Sequence, residues 1–141
     1  LFQMPFDFGR WTIDDTEVFY IGQYSFAFVN LRPIRKHHVL VCPIRKVERL
    51  KDLELQELSE VMKIASLISQ KIANGACNIA IQDGIDAGQT VNHVHIHVVP
   101  REGEGVLHID RIHGDRSPAQ MAAEATILRS MMQDYYIEER A

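Results

Sequence analysis

Residues 93–99 read His-Val-His-Ile-His-Val-Val, so histidines alternate with aliphatic residues. Successive side chains of a β-strand point to opposite faces of its sheet, and the alternation therefore predicts a strand. The aliphatic side chains would face a hydrophobic core, and the imidazoles of His93, His95 and His97 would share the opposite face. Because proline cannot donate a backbone hydrogen bond, we expect Pro100 to close this strand after Val99.

A row of three imidazoles allows two kinds of chemistry. Same-face positions lie about 6.6 to 6.8 Å apart along a strand, and rings this close favour the neutral form, which can act as a nucleophile, a base or a metal ligand. In one hypothesis the row binds zinc, iron or copper together with a further ligand. In the other, one imidazole attacks an electrophile such as phosphorus while its neighbours stabilise charge. The neutral hydrogen-bonding side chains just upstream favour the second hypothesis; they are Gln82, Gln89 and Thr90.

The rest of the chain predicts an α+β fold. Further β-prone stretches lie at residues 18–21, 25–30, 38–42 and 77–82, the third closed by Pro43 and the last followed by a turn at 83–88. A helix over residues 54–74 is predicted by apolar side chains at three- and four-residue steps: Leu58, Val61, Met62, Ala65, Ile68 and Ile72. Ser117 and Pro118 begin a second helix whose apolar face carries Met121, Ala125, Leu128 and Met132. Residues 102–115 are polar and contain glycine, which predicts a loop.

Length and charge exclude several classes of protein. The chain has 141 residues, 46% of them hydrophobic, which suits one domain, and we assign residues 4–141 to it and 1–3 to the remnant of a protease site. No apolar run reaches the length of a membrane span, and the net charge of −4 argues against general nucleic-acid binding. Seven basic residues against one acid between positions 31 and 51 predict a local field that is neutral to positive and suits a small anion. Cys42 and Cys77 in β-prone runs suit free thiols, hence the cytoplasm, with the nucleus as an alternative.

The histidine row belongs to a longer motif that resembles a known family. Residues 88–98, Gly-Gln-Thr-Val-Asn-His-Val-His-Ile-His-Val, resemble the signature of the histidine triad superfamily of nucleotide hydrolases and transferases. Further segments resemble its fragile histidine triad branch from residue 6 onward; they are residues 25–30, 38–43, 47–49, 82–84, 99–101 and 121–125. The sister branch of purine-nucleoside phosphoramidases usually lacks the Gln-Asp-Gly run at 82–84 and the C-terminal helix.

The resemblance implies a fold and a reaction. The implied fold is an antiparallel sheet of about five strands with one long helix packed on it and a C-terminal helix, the sheet continuing across a homodimer. The implied reaction is hydrolysis of dinucleoside polyphosphates, diadenosine triphosphate giving AMP and ADP through a nucleotidyl-histidine intermediate. By similarity His95 is the nucleophile, His97 acts on the leaving oxygen and His93 orients His95. His38 and Gln82 complete the implied catalytic set.

The resemblance also implies a set of substrate-binding residues. It comprises apolar walls around the base, a ribose contact, and groups for the phosphates: Phe8, Trp11, Ile13, Leu40, Asn30, Gln82, Gly88, Gln89, Thr90, Val91 and His97. No tightly bound cofactor is implied, and Mg or Mn is expected to arrive with the polyphosphate. Neither nucleic acid nor a membrane is an expected partner.

Two departures from the family pattern leave questions open. His37 replaces the glycine usual in this branch, so its ring could reach the phosphates or face solvent. The loop at 102–117 is shorter than its counterpart in the animal proteins and does not match it, and its His108 and His113 receive no function. A nucleoside phosphoramidase, a metal-binding protein and a nucleotide-sensing module remain as alternatives.

Overall fold

An antiparallel five-stranded sheet organises the chain, and a separate two-stranded hairpin packs on it. The computed structural model describes residues 6–73, 75–103, 105–110 and 113–133. The strands are β1 (Phe6–Phe8), β2 (Trp11–Ile13), β3 (Val18–Ile21), β4 (Ser25–Val29), β5 (Val39–Pro43), β6 (Ala76–Ala80) and β7 (Ile96–Arg101). The order of strands in the larger sheet is β3-β4-β5-β7-β6, and β1 and β2 form the hairpin. The helices are α1 (Leu55–Lys71) and α2 (Pro118–Met131). The α+β class and the five-stranded antiparallel sheet are thus confirmed, and the short β1-β2 hairpin is an addition.

Both helices pack on one face of the sheet. This core joins Val39, Val41, Ile96 and Val98 of the central strands to apolar side chains of α1 and α2. In α2 the four predicted core residues are all buried, and the Ser117 side chain caps the helix by accepting from the backbone N–H of Gln120.

The apolar stripe of α1 is rotated from the predicted one. Ile64 is buried in the core, whereas Leu58 and Met62 are 38% and 42% exposed. At 100° per residue, the stripe is centred on positions 61, 64 and 68, and positions 58 and 62 lie at its margin. The helix ends at Lys71, before the predicted end at residue 74, which lies outside the described residues. Neither α1 nor α2, the described helices, combines the length and hydropathy needed to cross a bilayer.

The opposite face of the sheet carries a second apolar cluster. It contains Phe26 and Phe28 of β4, Leu40 and Cys42 of β5, and the two phenylalanines of β1. Alternation along the strands separates these side chains from the helix-facing ones, as it does for the aliphatic residues of the histidine run. The hairpin stacks on this cluster, with ring centroids of Phe6 and Phe26 4.6 Å apart. Cys42 and Cys77 are both free thiols.

The strand carrying the histidine run begins and ends later than predicted. β7 starts at Ile96, because its neighbour β5 ends at Pro43, which has no N–H to donate; Val94 instead donates to the carbonyl of Val47 at 2.7 Å. At its other end β7 continues through Pro100 to Arg101. β7 pairs with β5 only as far as Val98, and beyond this residue its only neighbouring strand is β6. Pro100 is tolerated there because its missing N–H can face the side of β7 that has no partner strand.

Candidate active site

Four histidines converge on the sheet face that the hairpin covers. His97 lies in β7, His93 and His95 lie in the segment before it, and His38 directly precedes β5. His38, His93 and His95 are 2%, 0% and 7% exposed. The ring centroid of His97 lies 5.0 Å from that of His95 and 5.2 Å from that of His38. The structure therefore brings together all four histidines predicted for the site.

The proton of His93 is placed by two backbone groups. The Gly9 N–H donates to Nδ1 at 2.9 Å, so Nε2 carries the proton of the neutral ring and donates to the carbonyl of Pro43 at 2.8 Å. Gly9 has a left-handed φ of 59°, and a Cβ there would lie 2.7 Å from Cγ1 of Val91. Gly9 thus lets the hairpin turn approach His93 closely enough for this bond.

The ring of His95 is arranged as a nucleophile. Its Nδ1–H donates to the carbonyl of His93 at 2.8 Å, which leaves the lone pair on Nε2. The Phe8 ring meets the imidazole edge-on, with centroids 4.8 Å apart. Burial lowers the pKa of His95, partly opposed by its hydrogen bond to His93, so the imidazole is neutral at pH 7. A neutral imidazole with a free Nε2 can attack an electrophile in line.

His38 sets the tautomer of His97. The Ile34 N–H donates to Nδ1 of His38 at 3.1 Å, so Nε2 of His38 carries the proton and donates to Nδ1 of His97 at 2.9 Å. The proton of His97 therefore lies on Nε2, a buried atom without a protein partner. Burial lowers the pKa of His38 to about 4 and that of His97 to about 3, and both rings are neutral. His97 consequently offers a hydrogen-bond donor beside the ring of His95.

These hydrogen bonds weaken the metal-site hypothesis. Both ring nitrogens of His93 and of His38 already bond to protein groups, and a metal ligand needs a free lone pair. Across the described ranges, no group of three histidine, cysteine or acidic side chains has an arrangement that could hold a metal ion.

The residues predicted around the base lie next to the histidines. Phe8 and Leu40 are buried in the second cluster, and Ile13 and Val91 pack against it. Trp11 is the register partner of Phe8, is 53% exposed and has the guanidinium of Arg10 4.7 Å from its ring centroid. The hairpin therefore forms a wall that runs from the nucleophile to solvent.

Gln89 braces a turn in this structure. Its Oε1 accepts from the Gly84 N–H at 2.8 Å, and its Nε2 donates to the carbonyls of Glu48 at 2.9 Å and Val91 at 3.0 Å. The side chain is 8% exposed with its amide fully used, so it shapes the loop on which exposed Thr90 and half-buried Gly88 stand. Direct contact of Gln89 with a phosphate stays a prediction.

Asn30 and His37 belong to a network that anchors the loop before β5. Oδ1 of Asn30 accepts from the Arg32 N–H at 2.9 Å, and its amide lies 3.2 Å from Nε2 of His38. His37 has the left-handed φ of 62° that glycine adopts easily, and its Nδ1 donates to Oε2 of Glu124 at 2.9 Å. Arg116 donates to the other oxygen of Glu124 at 2.8 Å and to the carbonyl of Asn30. The sequence led us to expect that the ring of His37 reaches the phosphates or faces solvent, but it bonds to α2 instead.

The basic surplus between residues 31 and 51 is largely neutralised by ion pairs. Four of its seven cations contact acids elsewhere in the chain: Arg32 with Asp115, Arg45 with Glu57, Lys46 with Asp7, and Arg49 with Asp83. The four histidines of the site are neutral, so they add no positive charge to it.

Several residues that position the site could not be found by sequence reasoning. Gly9, Ile34 and Pro43 act through backbone N–H or carbonyl groups, which every residue carries and which leave no signature. Glu124 lies 87 residues from its partner His37, and Arg116 lies 86 residues from its partner Asn30. Of these residues only Gly9 has a sequence signal, which is a glycine that follows a short β-prone run.

Comparison with known proteins identifies the family. The sequence profile of the HIT domain matches residues 12–104. The chain belongs to the histidine triad family. Bis(5'-adenosyl)-triphosphatase of Dictyostelium discoideum is 38% identical over 138 residues, covering 90% of this chain and 93% of that protein. Bifunctional bis(5'-adenosyl)-triphosphatase/adenylylsulfatase FHIT of Arabidopsis thaliana is 40% identical over 148 residues, covering 88% and 82%.

The fold of this histidine triad protein is shared by solved structures. The crystal structure of Plasmodium falciparum diadenosine triphosphate hydrolase, in complex with cyclomarin A, superposes with a TM-score of 0.80 at 31% identity. The match covers 96% of this chain and 89% of that one. The recognition of a histidine triad protein of the fragile histidine triad branch is therefore confirmed.

Proposed function

We propose that this protein hydrolyses dinucleoside polyphosphates, with diadenosine triphosphate giving AMP and ADP. The observation that carries the proposal is the pairing of a free Nε2 lone pair on His95 with an Nε2–H donor on His97, whose ring centroids lie 5.0 Å apart. The relatives named above, called bis(5'-adenosyl)-triphosphatase or diadenosine triphosphate hydrolase, support this substrate class.

The reaction proceeds in two steps through a covalent intermediate. Nε2 of His95 attacks the α-phosphorus, and the bond to the bridging oxygen breaks. ADP leaves as an anion, and its former bridging oxygen accepts a hydrogen bond from Nε2–H of His97. The positive charge on the nucleotidyl-imidazolium is stabilised by the Nδ1–H bond to the carbonyl of His93. Water then attacks the phosphorus, the P–N bond breaks, AMP is released with a proton to solvent, and His95 returns to its neutral form. The covalent step divides one difficult hydrolysis into two.

Incubation with diadenosine triphosphate, followed by chromatography of AMP and ADP, tests the reaction directly. His95→Ala should lower kcat by about 10³-fold or more, because the nucleophile and its neighbours act as a unit. Exposed His108→Ala serves as the control and should retain activity. Unchanged activity of His95→Ala would sink the assigned nucleophile. An AMP adduct on His95, trapped by an acid-free quench and found by mass spectrometry, would support the intermediate. If adenosine phosphoramidate is turned over much faster than diadenosine triphosphate, a phosphoramidase is favoured instead.

The metal requirement and the compartment belong to the same proposal. Mg²⁺ or Mn²⁺ enters bound to the polyphosphate rather than to the protein, since these hard cations prefer phosphate oxygens. A chelator should then slow hydrolysis of diadenosine triphosphate much more than hydrolysis of a nucleotide ester with a single phosphate.

The two free cysteines support a reducing compartment such as the cytoplasm.

We also propose a homodimer in which the sheets of two subunits join. Strand β6 forms one edge of the sheet, and its side chains are exposed or only partly buried. Helix α1 contacts β6 and exposes Leu55, Leu58 and Met62. An open strand edge next to exposed apolar side chains suits pairing with a second copy. A monomeric mass in sedimentation at micromolar concentration would contradict this assembly.

A further inference from the structure

A carboxylate from the loop after β7 lies against Gln82, which is predicted to hold phosphate, and Gly88, which is predicted to bind substrate. Nε2 of Gln82 donates to Oδ1 of Asp110 at 2.6 Å and to the carbonyl of Ala87 at 3.1 Å, so both of its N–H groups are used. Gly88 lies beneath this contact with a φ of 96°, and a Cβ there would be 2.4 Å from Nε2 of Gln82 and 2.8 Å from Oδ1 of Asp110. The absence of a side chain at position 88 is what admits the carboxylate oxygen.

The location of this contact relates it to the catalytic histidines. Ala80 of β6 is the register partner of His97, and Gln82 comes two residues after Ala80. Gln82 therefore lies at the end of the β6–β7 pair where His97 lies. An amide N–H aimed at an anionic oxygen above a glycine is the arrangement that a phosphate oxygen would need. Asp110 lies 28 residues from Gln82, in the loop where the chain departs from the family pattern.

We propose that Asp110 occupies part of the polyphosphate subsite as an internal anion and thereby sets the enzyme's selectivity among nucleotide substrates. The inference rests on the proposed function and adds a specificity-determining residue to it. A polyphosphate that bonds to this N–H of Gln82 must displace the carboxylate, because both are acceptors for the same N–H group and both are negative. We expect a substrate with a single phosphate to compete less with Asp110, because it has no second phosphate to place against Gln82.

Competition of this kind acts on binding and not on the chemical step. When only a fraction of the protein is free to bind, the apparent dissociation constant rises by the inverse of that fraction. The contact is exposed to solvent, so we expect a factor of about three to ten rather than several orders of magnitude. Removing the carboxylate should therefore lower KM for a dinucleoside polyphosphate and leave kcat nearly unchanged.

Two variants of the full chain test the proposal. Asp110→Asn removes the charge and keeps the shape, and Asp110→Ala removes the contact; both should lower KM for diadenosine triphosphate about three- to tenfold, the alanine variant at least as much as the asparagine one. KM for the 4-nitrophenyl ester of AMP, which has one phosphate, should change less than KM for diadenosine triphosphate. Asp86→Asn is the matched control, because exposed Asp86 lies in the neighbouring turn; it should move KM less than twofold. Unchanged or raised KM for diadenosine triphosphate in both variants would overturn the proposal.

A binding measurement separates this inference from the proposed reaction. Inorganic pyrophosphate, titrated by calorimetry, should bind more tightly to Asp110→Asn than to the unaltered protein whether or not diadenosine triphosphate is hydrolysed. Equal affinities would overturn the role of Asp110, whereas tighter binding without any hydrolysis would leave the subsite in place and refute the proposed function alone.

Discussion

At the scale of single residues, hydrogen bonds place the proton of every histidine in the site. The Gly9 N–H acts on His93, the carbonyl of His93 on His95, and the Ile34 N–H acts through His38 on His97. The rings of His95 and His97 therefore differ in hydrogen-bonding character although they are the same residue type. His95 offers a lone pair on Nε2, and His97 offers a proton on the same atom.

Removal of the His97 ring tests this division of roles. His97→Ala should lower kcat for diadenosine triphosphate by about 10²- to 10³-fold, the usual loss when one donor to a developing negative charge is removed. With the 4-nitrophenyl ester of AMP the loss should be much smaller, because nitrophenolate stabilises its own charge. Steady-state kinetics with both substrates measures the difference.

His95→Ala provides the comparison for that experiment, since loss of the nucleophile should slow both substrates alike. Circular dichroism of each variant checks that the fold is kept. An equal loss of kcat on both substrates in His97→Ala would show that His97 does not act on the leaving oxygen.

At the scale of elements, the alternation of the histidine run correctly predicted two faces. Ile96 and Val98 join the helix-facing core, and the ring of His97 lies on the other side with those of its neighbours. The start of the strand could not be predicted, because Pro43 on the neighbouring strand decides it. The three hydrogen bonds of the Gln89 amide could not be predicted either, because only the folded turn brings Glu48, Gly84 and Val91 to it; its contact with phosphate stays a prediction.

Helix α2 is joined to the loop before β5 by the largely buried carboxylate of Glu124, whose side chain is 11% exposed. Glu124→Ala removes the acceptor for both His37 and Arg116 and should lower the free energy of unfolding by about 1–3 kcal/mol, the usual cost of leaving a buried partner unsatisfied. Urea denaturation monitored by circular dichroism measures this change.

Matched variants at the same contact separate its parts. Glu124→Gln keeps the shape and one acceptor, so its effect should be smaller than that of alanine. His37→Gly should also be mild, because glycine adopts a φ of 62° without strain and Arg116 still bonds to Glu124. If Glu124→Ala is as stable as the unaltered protein, the carboxylate does not hold this loop.

At the scale of the whole molecule, net charge and local sequence charge point to different signs for the site. The chain carries −4 overall, and the basic surplus at residues 31–51 suggests the opposite sign locally. Long-range ion pairs cancel most of that surplus, and burial keeps the imidazoles neutral. A count along the sequence cannot show these pairs, since partners such as Arg49 and Asp83 lie 34 residues apart.

The buried histidines predict how stability depends on pH. Folding lowers the pKa of His38 from 6.5 to about 4 and that of His97 from 6.5 to about 3, and it also lowers those of His93 and His95. Below pH 6.5 the unfolded chain binds protons that the folded protein does not, so the free energy of unfolding falls as pH falls. Each pH unit by which a pKa is lowered corresponds to about 1.4 kcal/mol.

Full stability is therefore expected above pH 6.5, with a loss that grows steadily between pH 6.5 and about 4. The carboxylates whose pKa is lowered add to the loss only below their ordinary values, which are 3.8 for Asp83 and 4.5 for Glu57. Urea titrations at pH 7.5, 6.0 and 5.0 and one protein concentration measure the slope. The double variant His38→Gln, His97→Gln should show a shallower slope than the unaltered protein, because two of the protonating groups are gone. A free energy of unfolding that stays constant from pH 7.5 to 5.0 would contradict the placement of neutral imidazoles in the buried site.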